Sequence, residues 1–160
     1  MRVLVIGKGG REHALCWRLN QSPTVWGVFC AGGNPGIDQI AKPVDISVTE
    51  SAALADFART EKIELTIVGP EDPLAAGIVD EFQARGLTIF GPSRAAAQLE
   101  SSKAFAKSVM LAAGVRTAAG EAFTDRDRAF AYIGQHPGSL VVKADGLALG
   151  KGVTVCDDGT

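Results

Sequence analysis

Two lysines and three glycines crowd the stretch Val142-Lys143-Ala144-Asp145-Gly146-Leu147-Ala148-Leu149-Gly150-Lys151-Gly152-Val153. Bare glycine amides approach a polyphosphate closely, and ammonium groups neutralise it. The stretch fails the Walker pattern, which places four residues between its glycines and Ser or Thr after the lysine. Here three residues separate Gly146 from Gly150, and Gly152 follows Lys151. Both flanks read as strands, so no helix dipole is on offer. A β-loop-β lid must then hold phosphates with glycine amides, Lys143 and Lys151. A flexible hairpin without a ligand is the plainer reading of the same residues.

Gly7-Lys8-Gly9-Gly10-Arg11-Glu12 follows an apolar run and opens a helical pattern. A dinucleotide fingerprint needs glycine at its third position, where Glu12 stands, and an acidic residue after the second strand. Phe29-Cys30-Ala31-Gly32-Gly33 supplies none. What remains is a turn with free amides at a helix N-terminus, suited to an anion, with Arg11 as a bidentate grip. A tight turn without a ligand stays open, as does a Glu12 that only complements the helix dipole. Gly69-Pro70-Glu71-Asp72-Pro73 puts two carboxylates on a second loop, for a substrate amine or sugar hydroxyls, or for helix capping.

The elements that must position these residues alternate. Apolar runs at 3–6, 25–30, 65–68 and 87–90 are separated by helical patterns at 12–20, from Thr49 as N-cap with Leu54, Phe57 and Ala58 on one face, and through Leu74, Ile78 and Phe82 to Gly86. Strands apolar along their length, alternating with helices, predict a Rossmann-like α/β fold with a parallel sheet and helices on both faces. The glycine segments at 7–10, 31–36 and 69–73 all follow strands, so they share one rim, where such sheets bind ligands.

Helices at 94–99 and 102–113 come next, the second with Phe105, Val109 and Ala112 on one face. The pattern changes beyond a boundary near 114–120. Ala122-Phe123 reads as a short strand, Thr124 caps a helix with Phe130 and Ile133 inward, and strands follow at 140–143 and 153–156.

A net charge of −2 over 160 residues, with 16 basic and 18 acidic side chains, leaves no footprint for nucleic acid or an anionic membrane. No apolar run approaches a bilayer span, and Met1 starts a strand without a cleavable signal pattern. Cys16, Cys30 and Cys156 lack metal-ligand spacing and read as buried thiols in a reducing cytoplasm. His13 and His136 form no ligand pair, and His136 reads as an exposed turn residue.

The segments at 3–15, 33–36, 68–71, 73–80, 91–93, 96–107 and 141–153, in this order, resemble the phosphoribosylamine–glycine ligase (glycinamide ribonucleotide synthetase) family of the ATP-grasp superfamily. Gly32, Asp72 and Leu149 depart from its usual wording. The resemblance implies an N-terminal pre-ATP-grasp, substrate-binding domain over 1–100, a linking helix over 101–120, and an incomplete ATP-grasp small lobe over 121–160. It implies joining of glycine to 5-phosphoribosylamine, driven by ATP through glycyl phosphate.

By the same resemblance Lys103, Lys143, Asp145, Gly146, Gly150, Lys151 and Gly152 would contact ATP. Gly9, Gly10, Arg11, Glu12, Asn34, Gly69, Pro70, Glu71 and Asp72 would face the ribose phosphate substrate. Ligands for Mg²⁺ or Mn²⁺ are expected beyond Thr160, with no catalytic residue assigned before it. The chain alone is accordingly expected to be inactive and to expose an apolar patch. The complete protein is expected to be a cytoplasmic monomer. A different ATP-grasp carboxylate–amine ligase or a biotin-dependent carboxylase subunit is the alternative; an NAD-type binding module is a distant one. The assignment requires Lys143 to face the cleft and the first glycine turn to be clear of its own side chains.

Overall fold

The computed structural model describes residues 1–136, 138–148 and 151–157. They divide into two compact units, 1–98 and 99–160.

The first unit is built on a parallel five-stranded sheet: β1 (Arg2–Gly7), β2 (Gly27–Gly32), β3 (Lys42–Val44), β4 (Leu65–Val68) and β5 (Ile89–Phe90), in the order β3-β2-β1-β4-β5. Side chains alternate across a strand, and β1 separates two cores accordingly. Leu4 and Ile6 pack with Phe29, Leu54, Ile78 and Phe82 on one face. Val5 packs with Cys16, Val28, Cys30 and Ile37 on the other. Helices α1 (Gly10–Asn20), α2 (Ser51–Thr60), α3 (Glu71–Ala76) and α4 (Ile78–Ala84) supply the covering residues, followed by α5 (Arg94–Ser101). The expected α/β architecture is present.

Four local expectations are corrected. The helical stretch through Leu74 and Phe82 is two helices, because Gly77 (φ +95°) ends α3 and begins α4. The left-handed region favours glycine, so the break is encoded by that residue. Even so, Ile78 and Phe82 are buried in one core, with Leu74 packed against it. The N-cap of α2 is Glu50, not Thr49, whose hydroxyl instead shares a hydrogen bond with Ser47. β3 was not expected, and Pro43 stands at its centre, a residue that sheets seldom carry. It is an edge strand paired only with β2, where proline is tolerated. The runs at 25–30 and 87–90 form strands over shifted or shorter spans.

The second unit contains α6 (Lys103–Ala112), α7 (Arg126–Gln135) and the antiparallel pair β6 (Leu140–Lys143) and β7 (Val153–Cys156). Ala122-Phe123 is not a strand. Asp125, not Thr124, caps α7, its carboxylate accepting the Arg128 amide at 2.8 Å. Phe130 is exposed rather than inward. With Ala129, Ile133 and Val142 it lines an open apolar hollow of about 350 Å³. His136 is exposed at the C-terminal end of α7 and stacks on Tyr132.

Candidate functional site

From β1 the chain winds outward to β2 and β3, then returns to the other side of β1 with β4. The crevice between the carboxyl ends of β1 and β4 is therefore a topological switch point, where open α/β sheets bind ligands. Gly7 ends one strand and Gly69 follows the other, its amide donating to Ile6 O at 3.0 Å. The two glycine loops singled out in the sequence meet here.

Glu12 joins them. Its side chain is 3% exposed, with Oε2 accepting the Gly9 amide at 2.6 Å and Oε1 accepting Arg11 Nε at 2.9 Å. A Cβ at Gly7 would lie 2.7 Å from Glu12 Cγ and 2.8 Å from Pro70 Cδ. One at Gly69 would overlap the Glu12 carboxylate. Glu12 thus fills the inside of the crevice as a bracket between the turns. The outside is open: Gly9, Gly10 and Arg11 are exposed, and nothing lies within 4 Å of a Cβ built on Gly10. The turn is filled from beneath, yet its outward face is accessible.

Asn34 fastens the third glycine segment. Its Nδ2 donates to Lys8 O at 2.7 Å, and its Oδ1 accepts the amides of Gly36 and Ile37 at 2.9 and 3.0 Å. Gly36 in turn lies against His13, where a Cβ would meet Cε1 at 2.6 Å. His13 therefore belongs to this rim. The sequence reading missed that, although His13 sits one residue beyond Glu12 in a motif already singled out. Glu71 and Asp72 open α3 directly after Gly69-Pro70. Asp72 is exposed and Glu71 half-buried.

In the second unit, Lys143 pairs with Val153 at the base of the hairpin, and Ala144 N donates to Gly152 O at 2.8 Å. Gly146 (φ +91°) and Gly152 (φ +72°) adopt left-handed backbone at the two ends of the loop. Lys103, Lys143 and Lys151 are exposed. Gly150 and Leu149 lie outside the described residues.

Asp145 reaches α6. Its Oδ1 accepts the Lys103 amide at 2.6 Å and the Ala104 amide at 3.3 Å, and its Oδ2 accepts the Ser102 hydroxyl at 3.1 Å. Lys103 Nζ returns a bond to Gly146 O at 2.8 Å. Partial desolvation pushes the Asp145 carboxyl up. The amides of Ala104 and Gly146, the Ser102 hydroxyl and the Lys103 amide outweigh it and hold the group below the usual carboxylate range. The structure thus brings Lys103, Asp145 and Gly146 together.

Residues 1–100 match the model of the phosphoribosylglycinamide synthetase N domain, and 101–160 that of the phosphoribosylglycinamide synthetase ATP-grasp (A) domain. The chain is 53% identical over 155 residues to a phosphoribosylamine–glycine ligase of Brucella melitensis, covering 97% of this chain and 36% of that protein. It is 54% identical over 157 residues to the Escherichia coli K12 ligase, with 97% and 37% covered. The solved Thermotoga maritima phosphoribosylamine–glycine ligase superposes with a TM-score of 0.72 at 29% identity, covering 99% of this chain and 37% of that one. A biotin carboxylase domain of Hydrogenobacter thermophilus shares the fold at a TM-score of 0.77 and 18% identity, over 99% of this chain and 38% of its own. The chain spans little more than a third of the length of the curated relatives it matches.

Proposed function

Since the chain belongs to the phosphoribosylglycinamide synthetase family, we propose that at its relatives' length it joins glycine to 5-phosphoribosylamine at the expense of ATP. A glycine carboxylate oxygen attacks the γ-phosphorus while the bond to the β-phosphate oxygen breaks, giving glycyl phosphate and ADP. The amine nitrogen of 5-phosphoribosylamine then attacks the acyl carbon. Phosphate leaves with the electron pair, the nitrogen loses a proton, and glycinamide ribonucleotide results. A carboxylate is a poor acylating group, and phosphorylation supplies its leaving group. The protein's share is positioning and charge neutralisation.

The observation that carries this reading is the rim of the first unit. Gly9, Gly10 and Arg11 are open above a crevice bracketed by Glu12. With the Gly9 amide already held by Glu12, the amides that follow it at the start of an eleven-residue helix, beside a guanidinium, suit the phosphate of a sugar phosphate. Glu71 and Asp72 would take its hydroxyls or amine. The β6–β7 hairpin, with Lys143, Lys151 and Lys103, would hold the polyphosphate of ATP. A divalent metal, when bound, would screen the γ-phosphate charge. Among the described residues no group of three His, Cys, Asp or Glu could hold one.

No helix of the described residues is long and apolar enough to cross a membrane. Cytoplasmic location and action as a monomer are part of the same proposal.

The test is steady-state kinetics on the protein at its relatives' length. Arg11→Ala is expected to raise KM for 5-phosphoribosylamine by about tenfold or more, as for loss of a charged hydrogen bond, while KM for ATP holds. Lys143→Ala is expected to do the reverse. ADP release that needs bicarbonate and biotin instead of glycine would overturn the assignment.

A further inference from the structure

We propose that Asp145 is a positioning residue that fastens the start of the hairpin loop to the first turn of α6 and thereby fixes where Lys103 stands. The proposal rests on the nucleotide reading of the hairpin given above.

The first amides of a helix have no partner within it. In α6 those of Lys103 and Ala104 are taken by Asp145, more than forty residues away. The Phe105 amide is taken by Ser102 Oγ at 3.1 Å, and that hydroxyl donates to Asp145. A carboxylate accepting N–H groups at a helix N-terminus is stabilised by charge-assisted bonds and by the dipole. A second strut runs the other way, from Lys103 Nζ to Gly146 O. Lys103 is thus bound at its backbone by Asp145 and at its ammonium by the next residue of the loop. The loop cannot shift without carrying the first turn of α6 or breaking both struts.

This geometry separates Asp145 from the lysines around it. A carboxylate directed at a triphosphate adds like charge to like charge, whereas lysine neutralises it. Here both carboxylate oxygens are occupied by donors from residues 102–104. Asp145 therefore serves the nucleotide through Lys103 and through the placement of Gly146, not by touching it.

Two measurements test this. In amide hydrogen exchange on the 160-residue chain, Asp145→Ala should speed exchange at Lys103 and Ala104 by about tenfold or more, the loss of a charge-assisted bond. Asp145→Asn, which keeps an acceptor oxygen, should recover part of the protection. Amides of β1 should be unchanged, showing that the fold is intact. Unaltered exchange at Lys103 and Ala104 overturns the latch. In steady-state kinetics on the protein at its relatives' length, Asp145→Ala should raise KM for ATP by a similar factor while KM for glycine holds, again with partial rescue by Asn. Faster exchange with an unchanged KM for ATP overturns the positioning role. A wild-type protein that makes no use of ATP overturns the function reading itself, and the exchange result alone then decides the latch.

Discussion

The carboxylate of Glu12 occupies the space that a Cβ on Gly69 would need. Two loops far apart in sequence are keyed together by one buried acid and one missing side chain. Gly69→Ala should therefore cost about 2 kcal/mol, in the range of core overpacking. Glu12→Ala should be destabilising alone, since it strips the Gly9 amide of its acceptor. The double variant should lose markedly less than the sum, because the clash disappears with its partner. Urea denaturation of the four proteins measures this. Additive losses would show that the two residues do not meet.

Thr66 is 1% exposed in β4, and its Oγ1 has no hydrogen-bond partner among the described residues. A buried hydroxyl without a partner forfeits its hydration for nothing. Thr66→Val exchanges that hydroxyl for a methyl group and should stabilise the protein by about 1 kcal/mol. A loss of similar size in thermal unfolding would mean that the hydroxyl is satisfied.

At the start of α7 the cap is one residue later than the sequence suggests. Asp125→Ala should destabilise that helix by about 1 kcal/mol, the usual cost of losing an N-cap. Thr124→Ala should change little. Helix content by circular dichroism and exchange at the Arg128 amide compare the two; equal effects would return the cap to Thr124.

The same residue explains how far the sequence could be read. Thr124 and Asp125 are both good caps, and only the hydrogen bond to Arg128 distinguishes them. Leu74, Ile78 and Phe82 recur at helical spacing across Gly77, yet its left-handed backbone splits the helix. The edge strand β3, with Pro43 at its centre, has no apolar run of its own to announce it and is held by pairing with β2. The central strands were legible because β1, β2 and β4 are apolar runs closed by glycine. At the rim, Gly9, Gly10, Arg11 and Gly69 could be named from chemistry and chain order. That Glu12 lies beneath them, that Asn34 pins the Lys8 carbonyl, and that His13 leans on Gly36 are facts of long-range packing. No local pattern carries them. Asp145 is the sharpest case: the family resemblance put it among the ATP contacts, and its distance from α6 along the chain concealed a cap.

Cys16 on α1 and Cys30 on β2 are both buried and belong to one core cluster, and Cys30 Sγ also donates to Gly7 O at 3.3 Å beneath the first glycine turn. The Cys30 sulfur beside it, and then burial, push the Cys16 thiol far above its ordinary range, while Cys16 holds the Cys30 thiol below its own. A raised folded value means that the native state keeps the proton while the unfolded chain releases it. The resulting stabilisation is whole below the unfolded thiol value, about 8.5, and is lost progressively as pH climbs past it. Because the two thiols shift each other, both are removed together: wild-type stability should decline from about pH 9 to 10 more steeply than that of the Cys16→Ala/Cys30→Ala double variant, since the Cys30 contribution is complete above the unfolded thiol value and only Cys16 still resists ionisation. Comparing the two isolates this effect from tyrosine and lysine titration, which both proteins share. Iodoacetamide should modify the half-buried Cys156 first at pH 8 and reach Cys16 and Cys30 only on unfolding. Parallel stability curves for wild type and the Cys16→Ala/Cys30→Ala double variant, together with prompt labelling of Cys16 in the folded chain, would place that thiol in contact with solvent instead of under the rim.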